Sequence, residues 1–291
     1  MAAVPPPLLA VDAPSLLYRA FFALPKSITD GAGHPVNALL GTANLVLFTV
    51  ERQAPRAVVL CWGAEAAAYR TQLFEPYHAE RPPMPPELER QWRDAPAFFA
   101  AFGWASLSAG DLEADDLLGS LAHAETAAGG ETLLFTGDRD MFQCVSDTVT
   151  VLFPRGGKGG PEVVDVAGVR ARYGVEPEQV PDFIALRGDP SDGLPGARGI
   201  GAKTARDLLR AHGTLEGVIA AASKPGTMTP HQAGALTRDP AALRAFKDIA
   251  TLRDIDLERP ADAPLDGSAA AAAARERGMN RLAERLEAWP G

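Results

Sequence analysis

The segment Leu8-Leu9-Ala10-Val11-Asp12 is a short apolar run that ends in a carboxylate. Further apolar runs of the type found in buried strands follow, separated by amphipathic stretches, at residues 57–62, 132–136 and 149–153. Strands that alternate with helices predict an α/β domain with a mostly parallel central sheet flanked by helices. Ligands of such sheets bind beyond the carboxyl ends of the strands, so we expect Asp12 and Asp138 to lie at that edge.

The composition indicates a globular protein with an ample core. The chain has 291 residues, of which 46% are hydrophobic, and no apolar run approaches the roughly 18 residues of a membrane span. The start lacks the basic region of a secretory signal, and Cys61 and Cys144 are expected to be buried free thiols in a reducing cytoplasm. The net charge of −9 argues against bulk attraction to nucleic acid, although a carboxylate-rich metal site would account for much of it. We expect a monomer.

Acidic residues fall in four separated stretches, each where a strand or turn gives way to another element. They are Asp12; Glu113, Asp115 and Asp116; Asp138 and Asp140; and Asp189 and Asp192. Crowded carboxylates repel one another unless a cation lies between them, and Mg²⁺ and Mn²⁺ prefer oxygen ligands. Acids in the first turn of a helix often serve only as caps, but here three of them share one turn. The set predicts two divalent ions that act in phosphodiester hydrolysis.

The spacing within two of these stretches supports a shared ligand set. Glu113 and Asp116 lie one helical turn apart and are expected on one face of a helix. Asp138 and Asp140 are two residues apart, and in an extended chain their side chains point the same way. The chain offers no competing chemistry, because it contains no Gly-x-Ser-x-Gly elbow, no Walker lysine loop and no Cys/His zinc spacing.

Two segments have features of nucleic-acid contacts. Residues 70–92 mix arginines with aromatic residues and a proline-rich run, which fits either a surface loop or a segment that binds phosphates and unstacked bases. Gly199-Ile200-Gly201 precedes a predicted helix over residues 202–212, with Lys203 and Thr204 in its first turn. Glycines at a helix N-terminus let backbone N–H groups approach a phosphate, which contacts a duplex without reading bases.

The strand-like runs stop near residue 170. We therefore predict a core over residues 1–170 and a helical region over residues 171–291 that packs on it. A closing helix with Leu282, Leu286 and Trp289 on one face is expected at the C-terminal end.

Taken in order, several segments resemble the flap endonuclease and 5′-3′ exonuclease family, which includes the N-terminal nuclease domain of bacterial DNA polymerase I. The segments are Leu9 to Asp12 with Tyr18-Arg19, Leu112 to Asp116, Thr136 to Asp140, and Gly188 to Asp192 running into Leu194 to Ala205. The resemblance covers about residues 8–260. It implies a PIN-like nuclease core with a helix-hairpin-helix module, in a free-standing bacterial protein that acts in DNA replication and repair.

The resemblance also implies roles for individual residues. Asp12, Glu113 and Asp115 would hold a first Mg²⁺ or Mn²⁺ ion, Asp138, Asp140, Asp189 and Asp192 a second, and Asp116 would belong to the acidic network. Residues 70–92 would form an arch that receives the 5′ strand, with Arg19, Arg70, His78 and Arg81 acting on the phosphate. Tyr18, Gly199, Ile200, Gly201, Lys203 and Thr204 would bind DNA, the hairpin commonly with K⁺. The partner would be DNA with 5′ ends, nicks or flaps, in some cases RNA-primed.

The chain departs from the family pattern at two positions. Gly63 stands where the family has an aspartate ligand of the first metal, and Glu65 lies two residues on as a substitute with different geometry. His78 replaces a lysine of the arch, so the charge near the phosphate would depend on pH. If the ligand at Gly63 is absent, Gly63→Asp is expected to raise the rate more than about tenfold.

Three functions are therefore compared. The first is an active 5′ nuclease, and the second is a branched-DNA-binding protein whose catalysis has weakened because of Gly63 and His78. The surviving carboxylates favour the nuclease, because crowded acids without a metal cost stability. A metal-dependent phosphatase for small molecules is disfavoured, since it would not need the hairpin and no Asp-x-Asp follows the first strand.

Overall fold

The computed structural model describes residues 5–155 and 159–289, so the outermost limits of the two predicted domains lie outside the described residues. A six-stranded sheet with the order β3-β2-β1-β4-β5-β6 forms the centre. Its strands are β1 (Leu8–Asp12), β2 (Ala57–Trp62), β3 (Ala105–Ser108), β4 (Thr132–Phe135), β5 (Val149–Phe153) and β6 (Glu162–Val164).

The predicted mostly parallel sheet is confirmed. β1 lies in the middle and pairs in parallel with both β2 and β4, while only β6 runs antiparallel to its neighbour. The strands β3 and β6 were not predicted, because they have only four and three residues and β3 is mostly exposed. Neither strand carries the apolar run that identifies a buried strand in sequence.

Helices cover both faces of the sheet. They are α1 (Ala13–Ala23), α2 (Asn37–Gln53), α3 (Ala68–Leu73), α4 (Pro86–Ala100), α5 (Ala114–Ala127), α6 (Val166–Tyr173), α7 (Val180–Arg187), α8 (Ala202–His212), α9 (Leu215–Ala222), α10 (Pro230–Thr237), α11 (Pro240–Ala250), α12 (Gly267–Glu276) and α13 (Asn280–Glu287). None of the helices in the described part of the chain is both long and apolar enough to cross a membrane.

The side chains of β1 alternate between two hydrophobic cores. Leu8 and Ala10 join the core that includes α5 and the helices from α6 to α11, whereas Leu9 and Val11 join the core with α1, α2, α4, α12 and α13. Successive residues of a strand point to opposite faces, so a continuous apolar run is what a strand covered on both sides requires. This central position fixes where Asp12 emerges from the sheet.

Among its described residues, the region after residue 170 contains helices, turns and extended segments but no strand of the sheet. A 3-10 turn at Pro177–Gln179 precedes α7. The predicted helix over residues 202–212 matches α8. In α13, Leu282 and Leu286 are buried in the core with α1 and α2, whereas Trp289 comes after the helix ends.

An extended strap, residues 251–266, connects α11 to α12 and is hydrogen-bonded to the core along its length. The Ile255 N–H donates to the Ser120 hydroxyl over 2.8 Å, and the Ala263 N–H donates to the Arg56 carbonyl over 2.9 Å. The fully buried Glu125 accepts hydrogen bonds from the guanidinium groups of Arg56 and of Arg259, which lies on the strap. The strap therefore joins the core to the C-terminal helices through a buried ion-pair network.

Glu125→Gln is expected to destabilise the fold by about 3–5 kcal/mol, because it removes the buried charge that faces Arg56 and leaves the exposed Asp262 as the carboxylate that pairs with this guanidinium. Urea unfolding measures the change. Glu216→Gln is the matched control, since Glu216 pairs with Arg244 at 2.7 Å with both side chains half exposed and such pairs contribute at most about 1 kcal/mol. Equal unfolding midpoints for the two variants would contradict the role of the network.

Candidate active site

Asp12 is fixed in orientation by two elements at the carboxyl edge of the sheet. It is the N-cap of α1, where its Oδ1 accepts a hydrogen bond of 2.9 Å from the Ser15 N–H. Its Oδ2 accepts one of 2.6 Å from the hydroxyl of Thr136, the residue after β4. The carboxylate is 4% exposed and faces the segment that follows the neighbouring strand.

Asp138 and Asp140 come together by a different geometry from the predicted one. The chain is not extended here, because a 3-10 helix begins at Asp140, whose N–H donates to Asp138 Oδ1 over 3.1 Å. The expectation that alternation along a strand aligns the two side chains was therefore wrong. Asp140 Oδ1 is buried and has no hydrogen-bond partner, which leaves a carboxylate oxygen free for a ligand.

The Asp189 to Leu194 turn buries two more carboxylates. The backbones of Asp189 and Leu194 exchange two hydrogen bonds of 2.8 Å, which closes the turn. Asp189 Oδ1 accepts hydrogen bonds from the backbone and hydroxyl of Ser191. Asp192 Oδ1 lies 3.0 Å from His78 Nε2 and 3.2 Å from a guanidinium nitrogen of Arg81. Both acids are less than a tenth exposed.

Glu113 is held by three donors at the start of α5. Its Oε1 accepts a hydrogen bond of 2.7 Å from the Ala67 N–H, and its Oε2 accepts one of 3.0 Å from the Tyr77 hydroxyl. The Arg70 guanidinium lies 3.0 Å from the same Oε2. Tyr77 was absent from the predicted site residues, although it stands beside His78 in the arch-like segment; only its distance from Glu113 in space identifies it.

Asp116 and Arg70 form a fully internal ion pair. Arg70 donates to both carboxylate oxygens of Asp116 over 2.9 and 3.1 Å, and its Nε donates to the Ile249 carbonyl. Asp116 also accepts from the N–H groups of Glu113 and Arg253 and is 0% exposed. These contacts favour a structural role for both residues over the predicted metal ligand and phosphate-binding arginine.

A cavity of about 650 Å³ unites most of the predicted acids. Seven carboxylates line it: Asp12, Glu113, Asp115, Asp138, Asp140 and Asp192 of the predicted set, and Glu65. The same cavity is lined by Tyr18, His78 and Arg81 of the predicted set and by the buried Arg70, whereas Asp116 and Asp189 lie behind its wall. The four separated stretches of sequence therefore meet in one place.

The carboxylates of this cavity repel one another. Burial, followed by the charge of Asp192, raises the pKa of Asp138 to about 6. Burial and the charge of Asp138 raise the pKa values of Asp115 and Asp140 well above their ordinary range. Burial also raises the pKa of Asp12, although hydrogen bonds from Thr136 and Ser15 oppose the shift. Cations bound between these carboxylates would offset the repulsion and lower the raised pKa values.

The residues fit hard divalent cations by their chemistry. Every candidate ligand is a carboxylate oxygen, the donor that Mg²⁺ and Mn²⁺ prefer, and Asp140 contributes an oxygen without a partner. In the described part of the chain, no three acidic, histidine or cysteine side chains are arranged to hold one ion as they stand. The converging acids nevertheless supply the oxygen donors that such a cation requires.

His78 is held rigidly beside the cavity. Its backbone has a φ of 56°, which is unusual for a residue other than glycine, and its ring stacks on Tyr77 at 3.8 Å. Nδ1 lies 2.9 Å from the Glu65 carbonyl oxygen, while Nε2 faces Asp192. Each ring nitrogen thus faces an oxygen, which holds the imidazole in one orientation.

Gly63 is required by packing, because it lies against the start of α5. A Cβ placed there would lie 2.6 Å from the Leu112 carbonyl oxygen and closer still to the amide nitrogen of Ala114. The chain at this point pairs with the start of α5, since the Ala64 N–H donates to the same Leu112 carbonyl. The expectation that Gly63→Asp simply restores a ligand is corrected, because no side chain fits without a backbone shift.

The predicted hairpin lies where α8 begins. Gly199 has a φ of 79° and precedes the buried Ile200, and Gly201 is the N-cap of α8. Lys203 is exposed in the first turn and Thr204 is half-buried.

Arg19 is exposed on α1, next to the half-buried Tyr18. The cysteines are both free, with Cys61 buried and Cys144 half-buried.

Comparison with known proteins places the chain in a family. Residues 7–174 match the model of the 5′-3′ exonuclease N-terminal resolvase-like domain, and residues 175–270 match that of the 5′-3′ exonuclease C-terminal SAM fold. The chain belongs to the 5′-3′ exonuclease family. The family predicted from the four acidic segments is thereby confirmed.

Its curated relatives are much longer proteins. The thermostable DNA polymerase I of Thermus thermophilus is 41% identical over 211 residues, which are 72% of this chain and 25% of that protein. DNA polymerase I of Mycobacterium tuberculosis is 37% identical over 215 residues, 74% of this chain and 24% of that protein. The chain thus spans about a quarter of the length of these relatives.

Solved structures share the fold across nearly the whole chain. The T5 D15 protein co-crystallised with metal ions is 15% identical with a TM-score of 0.69, covering 97% of this chain and 98% of that one. The catalytic core of Rad2 in complex with DNA substrate is 13% identical with a TM-score of 0.63, covering 98% and 92%. At these identities the similarity establishes the fold alone.

Gly63→Asp and Gly63→Ala are both expected to destabilise the fold by about 1–3 kcal/mol, because either Cβ displaces the start of α5. Thermal unfolding measures this effect. Since the two substitutions share the clash and differ in the carboxylate, any gain in nuclease rate confined to Gly63→Asp would show that the backbone yields and a ligand is restored.

Asp138→Asn is expected to raise the Tm of the metal-free protein at pH 7. The pKa of Asp138 rises from 3.8 to about 6 on folding. Below pH 3.8 the group is protonated in both the folded and the unfolded state and its charge costs no stability, whereas above about pH 6 it is ionised in both states and the folded protein bears the full cost. The amide keeps the acceptor for the Asp140 N–H and removes the repelled charge. Thermal unfolding in EDTA, with the exposed Asp111→Asn as control, measures the shift, and a lowered Tm would contradict the repulsion.

Proposed function

We propose that the chain is a structure-specific 5′-3′ exonuclease and 5′-flap endonuclease that hydrolyses phosphodiesters in DNA replication and repair. The observation that carries this proposal is the cavity in which six of the predicted carboxylates, from separate elements, converge at the carboxyl edge of the sheet. Membership in the 5′-3′ exonuclease family supports the same function. We infer that the enzyme acts on cytoplasmic DNA as a monomer.

Two groups of acids would hold two Mg²⁺ or Mn²⁺ ions. Asp138, Asp140, Asp189 and Asp192 form the larger group, and Asp12, Asp115 and Glu113 form the smaller one. Such ions supply Lewis acidity, which lowers the pKa of water and stabilises charge on the leaving oxygen. The smaller group is the weaker of the two, because Gly63 provides no ligand and both oxygens of Glu113 already accept hydrogen bonds. We assign Asp116 to the Arg70 ion pair.

Arg81 and His78 would orient the phosphate and the acids. The Arg81 side chain is 40% exposed at the cavity, so its guanidinium can reach an anion there while it contacts Asp192. His78 holds Asp192 in place from the other side. The charge of Arg81 offsets part of the repulsion among the acids and attracts the substrate phosphate.

The hairpin at the start of α8 would hold the duplex part of the DNA. Gly199 to Gly201 expose backbone groups at a helix N-terminus, where a phosphate is favoured, and Lys203 adds a positive charge. A K⁺ ion at this turn is part of the proposal, as are nicks, 5′ flaps and RNA-primed ends as substrates. The duplex contact carries no base specificity, which suits an enzyme that recognises structure.

Cleavage of labelled 5′-flap, nicked and single-stranded DNA in Mg²⁺ and in Mn²⁺ tests the function. We expect cutting near the junction of single- and double-stranded DNA. Asp138→Ala and Asp189→Ala should each lower the rate by more than about 100-fold, because each removes a group that holds the ions.

Asp111→Ala, an exposed acid two residues before Glu113, is the matched control and should leave the rate unchanged. Tight binding of flap DNA without cleavage in either metal would contradict the nuclease. Cleavage that survives both substitutions would contradict the site.

A further inference from the structure

We propose that the exposed ring of Phe22 stacks on an unpaired nucleobase next to the phosphate that is cut. The proposal rests on the proposed nuclease function and adds to it a residue that distinguishes single-stranded from duplex DNA.

Phe22 is far more exposed than a phenylalanine in a structural role. Its side chain is 71% exposed, whereas its neighbour Phe21 is 2% exposed in the core. Among the described residues, the other large hydrophobic side chains classed as exposed are Leu73 and Val163. Of these three, only Phe22 lines the cavity of the acids. A large apolar ring kept in water at the mouth of a polar site indicates a contact made by a ligand.

The ring of Phe22 ends a row of aromatic side chains. It lies nearly parallel to the ring of Tyr18, with centroids 6.5 Å apart and 26° between planes. Tyr18 in turn meets Trp92 edge-on at 6.1 Å, and Trp92 meets Trp62 edge-on at 5.4 Å. The contact with Tyr18 restricts the positions that the Phe22 ring can take. Because Phe22 is 71% exposed while Tyr18 and Trp92 are half-buried, the most accessible ring of the row is that of Phe22.

The lining of the cavity combines two kinds of chemistry. It includes the acids and Arg81, and it also includes Tyr18, Phe22, Trp92 and the apolar segment from Pro82 to Pro85. A nucleotide has the same two kinds of chemistry, since its phosphate suits the charged residues and its planar base suits the aromatic residues. The base must be unpaired, because the faces of a paired base are covered by its neighbours in the duplex.

Arg19 strengthens the assignment to a nucleotide. It lies three residues before Phe22 on α1, so the two side chains share one surface of the helix. Arg19 is exposed, and within the described residues no carboxylate lies within 4.0 Å of its guanidinium. A free guanidinium beside an exposed ring offers a phosphate contact and a base contact to the same strand.

Flap substrates with a normal or an abasic first unpaired nucleotide test the proposal. Phe22→Ala should weaken binding of the normal flap, measured by fluorescence anisotropy in Ca²⁺, by about 5- to 150-fold, and it should lower kcat/KM in Mg²⁺ in parallel. Phe22→Trp should restore both values. Val163→Ala, an exposed apolar residue outside the cavity, is the matched control and should change neither.

The abasic substrate separates base stacking from other effects. The wild-type protein should bind it as weakly as Phe22→Ala binds the normal flap, and Phe22→Ala should cause no further loss. An equal loss on both substrates, or no loss on either, would overturn the proposal. Because binding is measured without cleavage, a protein that cuts nothing would contradict the nuclease function and still decide the role of Phe22.

Discussion

Repulsion among buried carboxylates is the constraint on which the site depends. Eight acids from four separated stretches lie at or just behind one cavity, and burial with mutual charge raises the pKa values of Asp115, Asp138 and Asp140. Such a cluster survives only where the surrounding fold is stable enough to hold it. The parallel sheet supplies this stability, because β1 is buried on both faces and delivers Asp12 to the edge where β4 ends.

The Arg70–Asp116 pair connects this cluster to the rest of the molecule. Arg70 comes from α3, Asp116 from α5, and the accepting carbonyl of Ile249 from α11. The Arg253 N–H, in the strap after α11, donates to the same aspartate. Elements from the arch-like segment and from the helical region therefore meet at one buried charge pair behind Glu113. Loss of either partner would leave an uncompensated charge in the core, which explains why both are fully enclosed.

Residues that act through local pattern were predictable from sequence, and residues that act through distant contacts were not. The apolar runs and their terminal acids identified four strands and the edge of the sheet correctly, since burial on both faces leaves a continuous apolar signature. The ion pair of Asp116 depends on an arginine 46 residues away, and the crowding at Gly63 depends on the approach of α5. Phe22 looks like a core residue in sequence, because it belongs to an amphipathic helix; only its exposure beside the acids separates it from Phe21.

Equilibrium binding of Mn²⁺ in the absence of DNA, followed by electron paramagnetic resonance, tests the central claim that the converging acids form a metal site. The wild-type protein should bind Mn²⁺, Asp140→Ala should weaken that binding by about tenfold or more, and Asp111→Ala should leave it unchanged. A wild-type protein that binds no Mn²⁺, or an Asp140→Ala variant that binds it as tightly as the wild type, would contradict the account.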